Sequence, residues 1–200
     1  MLRRLILTIS LIIMILSFAS VVCAITFPDI AGHWAESYIT KLTEKRVISG
    51  YEDGTYRPNG TIKKGEFIKL MMCAAYPDKE WDTSDSTYYH WSGVYINAAE
   101  RARVIPQGLI NDDNANQEIT RGEVVEILGK TDIIIKGTWQ QSKNLEFYDI
   151  ANMTNSQKAM LRHCVSVGYI NGYEDFTFKP ERTLTRAEVA TIIFKYMEKQ

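Results

Sequence analysis

One basic residue recurs in the same local setting at three places in the chain. The segments read "IKKGEF", "ITRGEV" and "LTRAEV", and the recurring bases are Lys64, Arg121 and Arg186. An apolar and a polar residue precede each base, and a small residue and a glutamate follow it. Because arginine grips a carboxylate with two parallel hydrogen bonds, whereas lysine offers a point charge, these bases are candidates for binding an anion.

The surrounding residues predict that each base begins a helix. Thr120 with Glu123, and Thr185 with Glu188, have the spacing of a capping box, in which the two side chains satisfy backbone N–H groups at the helix start. Lys63 replaces the threonine in the first segment. That helix is therefore expected to begin less firmly, or to take its cap from elsewhere.

A base at the first helical position is unfavourable by itself, because the helix dipole makes this end partly positive. A bound anion that meets the base and the free backbone amides would offset this cost. An ion pair with an acid of the same chain, such as Asp29 or Asp149, would offset it too. The sequence leaves both interpretations open.

The three segments belong to a longer repeat. One constant offset matches Trp34 to Trp91, and a second matches Pro58 to Pro180. We therefore predict three units, at residues 27–75, 88–131 and 147–198. The stretches between them, including residues 132–146, are interpreted as connectors.

Each unit is predicted to hold a helix, a turn and a second helix. The first helix of the first unit is expected within "HWAESYITKLTEKRVI", with Trp34, Tyr38, Ile39 and Leu42 on one side. The second helices carry apolar residues at spacings of three and four, namely Val124, Ile127, Leu128, Val189, Ile192 and Ile193. Because units of this size cannot bury such faces alone, we expect a mainly α fold in which the second helices pack side by side.

The first 24 residues have the features of an export signal. Arg3 and Arg4 precede an apolar run at residues 5–18, and small residues lead to Ala24. We predict a secreted protein that is soluble after cleavage and makes no membrane contact. A retained membrane anchor and a lipid on Cys23 are the weaker alternatives.

Composition argues against several other classes. The chain has 24 acidic and 23 basic side chains, two of the bases lying in the leader, so a general nucleic-acid binder is not expected. Cys73 and Cys164 are too few for a disulfide scaffold and are interpreted as two free thiols, Cys73 peripheral and Cys164 in the core. No spaced histidine cluster suggests a metal site. We predict no cofactor.

A calcium loop and an enzyme are both weak interpretations. Asp112, Asn114, Asn116 and Glu123 have the spacing of calcium ligands, but Gln117 stands where the sharp turn needs glycine. No arrangement of catalytic residues emerges that the repeat does not already explain. We therefore expect a binding module.

The ordered motifs "FPDIAGHWA", "VISGYEDGTYRP" and "TRAE" resemble those of surface-layer homology (SLH) domain proteins of bacterial envelopes. The resemblance covers essentially the whole chain after the leader. It implies a pseudo-threefold domain with a central bundle of three motif helices. It also implies non-covalent binding of secondary cell-wall polysaccharide, commonly through pyruvylated amino sugars held in grooves between repeats, and a location in the cell wall or surface layer.

The resemblance also suggests roles for individual residues. In the family the motif arginine meets the acidic group of the ligand, which maps onto Arg121 and Arg186, with Lys64 in the weaker first copy. Trp34 and Trp91 could stack on a sugar face or lie in the core.

Two further residues and two departures complete the comparison with the family pattern. Asp29 and Asp149 could bind sugar hydroxyls or hold a helix start. The second unit lacks the "FxDI" opening and the "GYEDG" turn, and the third lacks the tryptophan, so one or two working grooves are expected. The alternative function is a structural or protein-interaction module that has lost the sugar sites, with other surface-layer proteins as partners.

We expect cleavage after Ala24, because a basic start, an apolar run and small residues occur in the order of an export signal. Mass spectrometry of the N-terminus of the protein purified from its cells measures this. A chain that retains residues 1–24, or that carries lipid on Cys23, would contradict the prediction.

Overall fold

A computed structural model describes residues 26–82 and 84–199 of the chain. Within this part the protein is mainly α, as predicted, with three isolated β-bridges and no strand. The helices are α1 (Glu36–Glu44), α2 (Lys64–Ala75), α3 (Gly93–Arg101), α4 (Arg121–Lys136), α5 (Asn155–Val167) and α6 (Arg186–Met197). The predicted leader, with Cys23, lies outside the described residues. None of the described helices combines the length and apolarity that crossing a bilayer requires.

Reciprocal side-chain caps begin the helices that follow the repeated motif. At α4 the Thr120 hydroxyl accepts from the Glu123 N–H at 3.2 Å, and the Glu123 carboxylate accepts from the Thr120 N–H at 2.9 Å. The same two bonds cap α6. At α2 the Lys63 N–H donates to Glu66, but a lysine side chain has no acceptor for the return bond. The predicted caps of α4 and α6 are therefore confirmed, and α2 has half a box.

A further capping box begins α5, where Thr154 and Gln157 exchange the same pair of bonds. This cap was not predicted, although a threonine followed three residues later by glutamine is the same signal.

The backbone at the starts of α2, α4 and α6 closes into a ring. The segments before these helices are joined by three isolated antiparallel bridges, Thr61 to Thr185, Lys63 to Glu118 and Thr120 to Thr183. These bridges connect the first predicted unit to the third, the first to the second and the second to the third. Each segment therefore contacts both of the others.

The same ring uses the first two backbone amides of each motif helix. The Lys64 N–H donates to the Gln117 carbonyl at 2.9 Å, and the Arg121 N–H donates to the Arg182 carbonyl at 2.9 Å. The Arg186 N–H donates to the carbonyl of Gly60 at 2.8 Å. The next amide along each helix also donates to a carbonyl of the same neighbouring loop. The expectation that these amides are free to bind an anion is therefore wrong, because loop carbonyls of another unit already accept from them.

Helix packing interlocks the predicted units. Helix α3 packs on α2, α5 packs on α4, and α1 packs on α6. Each first helix therefore covers the second helix of the unit before it, and the first unit covers the last. Helix α2 also contacts both α4 and α6, so the motif helices meet near the centre. The buried apolar residues form one cluster across all three units.

The buried side of α1 differs from the predicted one. Ala35, Ile39 and Leu42 are fully buried, whereas Trp34 is 60% exposed. The prediction placed Trp34 on the apolar side of a helix that begins earlier. Because α1 begins only at Glu36, the tryptophan lies in the preceding turn and projects from the surface.

Helix α4 extends through residues that were predicted to be a connector. It ends at Lys136, and the C-cap residue Gly137 has a left-handed φ of 67°. The buried Asp132 of its last turns contacts His163 of α5 at 2.8 Å and accepts from the Tyr169 hydroxyl at 2.8 Å. Burial by itself would raise the pKa of Asp132, but bonds from His163, Lys136 and Tyr169 outweigh it and lower that pKa. This buried cluster fixes α4 against α5.

The two cysteines of the described region are free, as expected. Cys164 is fully buried against α4 and Cys73 is partly buried. Burial raises the pKa of both thiols, which suits core packing rather than reactivity.

We expect Ile39→Ala to lower the free energy of unfolding of the whole protein by about 2–5 kcal/mol, because it leaves a cavity between α1 and α6. Urea unfolding followed by circular dichroism should still show one transition, shifted to lower urea. Ser37→Ala, on the exposed side of the same helix, should change the free energy by less than about 0.5 kcal/mol. Two separate transitions in the Ile39→Ala variant would contradict a shared core.

Candidate ligand-binding grooves

Two aspartates hold the turns of the first and third units. The Asp29 carboxylate accepts from the Tyr56 N–H at 2.9 Å and from the Arg57 N–H at 2.6 Å. Asp149 binds the corresponding amides of the third unit at 2.8 and 2.7 Å. Both aspartates therefore fix the turn rather than a helix start. Sugar binding by either residue stays a prediction.

A phenylalanine packs so closely on each of these turns that the turn residue beneath it is glycine. A Cβ atom on Gly50 would lie 2.3 Å from a ring carbon of Phe27, and one on Gly172 would lie 2.0 Å from a ring carbon of Phe147. The second unit carries glutamine at the position matching Gly50. Because the phenylalanine of the opening motif packs on the glycine of the turn motif, the absence of both motifs from the second unit is a single structural difference.

A cavity of about 710 Å³ lies where the three predicted units meet. We call it the main groove. Its principal lining residues are Tyr51, Tyr56, Arg57, Lys69, Trp91 and Arg186. The turn and α2 of the first unit, the segment before α3 and the first residue of α6 supply them. The ring of backbone hydrogen bonds brings these segments together.

Arg186 lies at the base of the main groove. Its Nε donates to the Tyr56 carbonyl at 2.8 Å, and its Nη1 donates to Glu66 Oε1 at 2.8 Å. The guanidinium carbon is 4.6 Å from the ring centroids of both Tyr51 and Tyr56. Nη2 has no hydrogen-bond partner among the described residues. Arg186 is thus ion-paired within the protein, to Glu66 rather than to Asp29 or Asp149, and still lines the groove.

The two tyrosines of the main groove, Tyr51 and Tyr56, are held in place by Arg186 and by burial. Burial raises the pKa of Tyr51 and of Tyr56, so both remain neutral hydroxyls near neutral pH. The Tyr51 hydroxyl donates to Glu66, and the Tyr56 hydroxyl donates to the Arg186 carbonyl. Neither tyrosine was among the predicted site residues, although Tyr51 is matched by Tyr173 in the repeat.

Arg121 has a different environment at the third unit. It donates to the carbonyls of Phe178 and Asn171 at 2.8 and 3.1 Å. No acid lies within ion-pairing distance of it in the described chain, and burial lowers the pKa of its guanidinium. Glu188, which matches Glu66, is paired with Arg182 at 2.8 Å. The shallow cavity of about 470 Å³ beside Tyr173 is not lined by Arg121.

Lys64, the motif base of the first unit, joins two units directly. Its ammonium lies 2.7 Å from Glu123 Oε1 and is largely buried. Lys64 is therefore used in an ion pair between the first and second units.

The two matching tryptophans lie at the surface. Trp34 is 60% exposed and Trp91 is 53% exposed, so the alternative of a core position is wrong for both. Each indole lies 5.3 Å from the ring of the preceding histidine. Trp91 lines the main groove, whereas Trp34 lines a separate shallow cavity.

The residues with calcium-ligand spacing do not converge on one point. Asp112 accepts from the His90 N–H, Asn116 contacts the His90 ring, and Asn114 accepts from a nearby backbone N–H. Glu123 caps α4 and pairs with Lys64. In the described part of the chain, no group of three or more acidic, histidine or cysteine side chains is arranged to hold a metal ion.

Comparisons with known proteins support the resemblance seen in the motifs. The family model described as S-layer homology domain matches residues 26–68 and 164–190. The chain contains an S-layer homology domain. The matched ranges include the turns of the first and third units and the starts of α2 and α6. The second unit, which lacks the turn motif, is not matched.

Curated relatives are similar over most of this chain. The chain is 28% identical to Exoglucanase XynX of Acetivibrio thermocellus over 88% of its own length and 16% of the relative's. It is 29% identical to S-layer protein sap of Bacillus anthracis over 85% of its length and 21% of the relative's. A stretch of 43 residues is 49% identical to a cellulosome-anchoring protein of A. thermocellus, covering 22% of this chain and 10% of that protein.

The chain spans between a tenth and a fifth of the length of each of three such relatives. What they share with it is therefore a module of larger proteins. The S-layer and anchoring relatives support a location at the cell wall or surface layer.

We expect Glu66→Gln to lower the free energy of unfolding by about 1.5–3 kcal/mol, because it removes the carboxylate that pairs with a buried arginine. The side chain of Arg186 is 9% exposed. Glu188→Gln is a matched control, since glutamine still caps the helix and its partner Arg182 is 38% exposed. That change should cost about 0–1 kcal/mol.

Urea denaturation of the two variants and the parent gives these differences. Equal losses in the two variants would mean that the Glu66–Arg186 pair contributes no more than a surface ion pair.

Proposed function

We propose that this chain anchors non-covalently to the bacterial cell wall by binding secondary cell-wall polysaccharide in the main groove. The ligand class is a pyruvylated amino sugar of that polymer. The observation that carries the proposal is the meeting of Arg186, Trp91 and two tyrosines around one cavity of about 710 Å³.

These residues suit an acidic sugar. Trp91 presents an exposed indole against which a sugar ring stacks, and the Tyr51 ring lies on the same groove. Nη2 of Arg186 has no hydrogen-bond partner among the described residues and supplies a donor for a carboxylate. A pyruvate ketal carries such a carboxylate. Asp29 shapes the groove by holding its turn.

The other two inter-unit positions have less room for a ligand. Beside Arg121, Arg182 donates to both Glu188 and the Tyr173 hydroxyl. Lys64 is already paired with Glu123. These contacts favour the second candidate function for those positions, a structural module whose sugar sites are lost. We propose one principal groove, with Arg121 contributing weakly and Lys64 and Trp34 contributing little.

We also propose that the chain is not itself an enzyme. The relatives named as an exoglucanase and an amylopullulanase match it over 16% and 10% of their lengths. A binding module attached to different proteins accounts for this distribution.

The purified protein is expected to sediment with cell-wall sacculi, and to remain in solution after acid treatment has removed the wall polymer. Arg186→Lys keeps the charge facing Glu66 but has no counterpart of Nη2, the donor left for the carboxylate, so it should weaken binding roughly tenfold or more. Arg121→Lys is the matched control and should weaken it less. Circular dichroism establishes that each variant is folded.

Equal sedimentation of the parent on treated and untreated sacculi would overturn polymer binding. Unchanged binding by folded Arg186→Lys would show that this arginine serves only its internal ion pair.

A further inference from the structure

The main groove contains a lysine that no motif includes. Lys69 lies one turn along α2 from the motif glutamate, and its side chain is partly buried. Its ammonium donates to the Ser49 hydroxyl at 3.2 Å and lies 5.9 Å from the centroid of the Trp91 ring. Among the described residues, no acid lies within ion-pairing distance of it. We propose that Lys69 distinguishes an acidic sugar from a neutral one by pairing with its carboxylate, which we call charge reading. This inference rests on the proposed function.

The charges around the groove single out this residue. Six charged side chains line the groove, three basic and three acidic, so its formal charge is zero. Arg186 is paired with Glu66, and Arg57 is paired with Asp53 at 2.7 Å. Bonds from the Thr55 side chain and from Arg57 hold the pKa of Asp53 at about 2, so that acid stays charged. Lys69 is the lining base left without an acid, and Glu52 is the acid left without a base.

The position of Lys69 beside Trp91 determines what it recognises. The ammonium lies over the indole ring, so a sugar that binds against Trp91 brings its substituents close to Lys69. A carboxylate there accepts a hydrogen bond from the ammonium and also forms an ion pair with it, whereas a hydroxyl accepts the hydrogen bond alone. Glu52 lies on the turn and suits sugar hydroxyls as donors. The groove therefore selects a sugar with a single acidic substituent near the tryptophan instead of attracting anions in general.

The equivalent positions in the other units carry different chemistry. The second unit has Glu126 there, paired with Lys130 at 2.7 Å. The third has Thr191, whose hydroxyl donates to the Ala187 carbonyl. Neither position supplies a cation. Charge reading is thus a property of the main groove and not of the repeat.

The test uses isothermal titration calorimetry with two probes, a methyl glycoside of an N-acetylhexosamine carrying a pyruvate ketal and the same glycoside without it. The parent should prefer the acidic glycoside. Lys69→Thr, which installs the residue of the third unit, should reduce that preference on the order of tenfold and leave binding of the neutral glycoside within about twofold. Lys69→Arg should keep the preference. Lys45→Thr makes the same charge change at an exposed site outside the groove and should have no effect.

The outcomes separate the two proposals. A parent that binds neither glycoside, and does not sediment with sacculi, overturns the proposed function together with this inference. A parent that sediments with sacculi but binds both glycosides equally, or neither, overturns charge reading alone. If Lys69→Thr keeps the parent's preference, the acidic group is held elsewhere in the groove and the assignment of Lys69 is wrong.

Discussion

Backbone hydrogen bonds between neighbouring units, at the starts of α2, α4 and α6, are the constraint on which the rest of the structure depends. The first two amides of each helix donate to a loop of another unit, and three such junctions close the ring. The close approach explains the glycine after the first base. A Cβ atom on Gly65 would lie 2.5 Å from the Ser92 hydroxyl, so a larger side chain there would separate α2 from the segment before α3. The primary role of the motif is therefore structural, because it connects neighbouring units.

The base of the motif serves the same junctions. Because the dipole at a helix start disfavours a cation, its charge needs an acid, and the capping glutamate of a neighbouring unit supplies one. In Glu66 one oxygen caps α2 while the other accepts from Arg186, and Glu123 divides its oxygens in the same way between α4 and Lys64. One carboxylate therefore stabilises a helix start and an inter-unit contact at once. At the third junction Arg182 has taken this oxygen, and Arg121 relies on backbone carbonyls.

Local features could be predicted from the sequence because they depend on neighbours three or four residues away. The caps at Thr120 and Thr185 and the buried sides of α4 and α6 are of this kind. The choice of packing partner is not, since nothing in α1 shows that it lies on α6 rather than on α2. The pairing of Asp132 with His163 depends on that register between helices. The groove could not be predicted for the same reason, because three units supply it and only the backbone ring determines which residues meet.

Differences outside the motif decide which junction remains open to a ligand. Gly60 in the first unit is matched by Arg182 in the third, and in both cases the carbonyl accepts from the first amide of a motif helix in another unit. Since the hydrogen bond uses only the backbone, the side chain can change without opening the ring. Glycine at this position leaves Glu66 to pair with Arg186, whereas the arginine of the third unit pairs with Glu188 and donates to the Tyr173 hydroxyl. A scaffold held by main-chain bonds thus allows each junction to gain or lose a ligand site without loss of the fold, and this accounts for three similar junctions with unequal grooves.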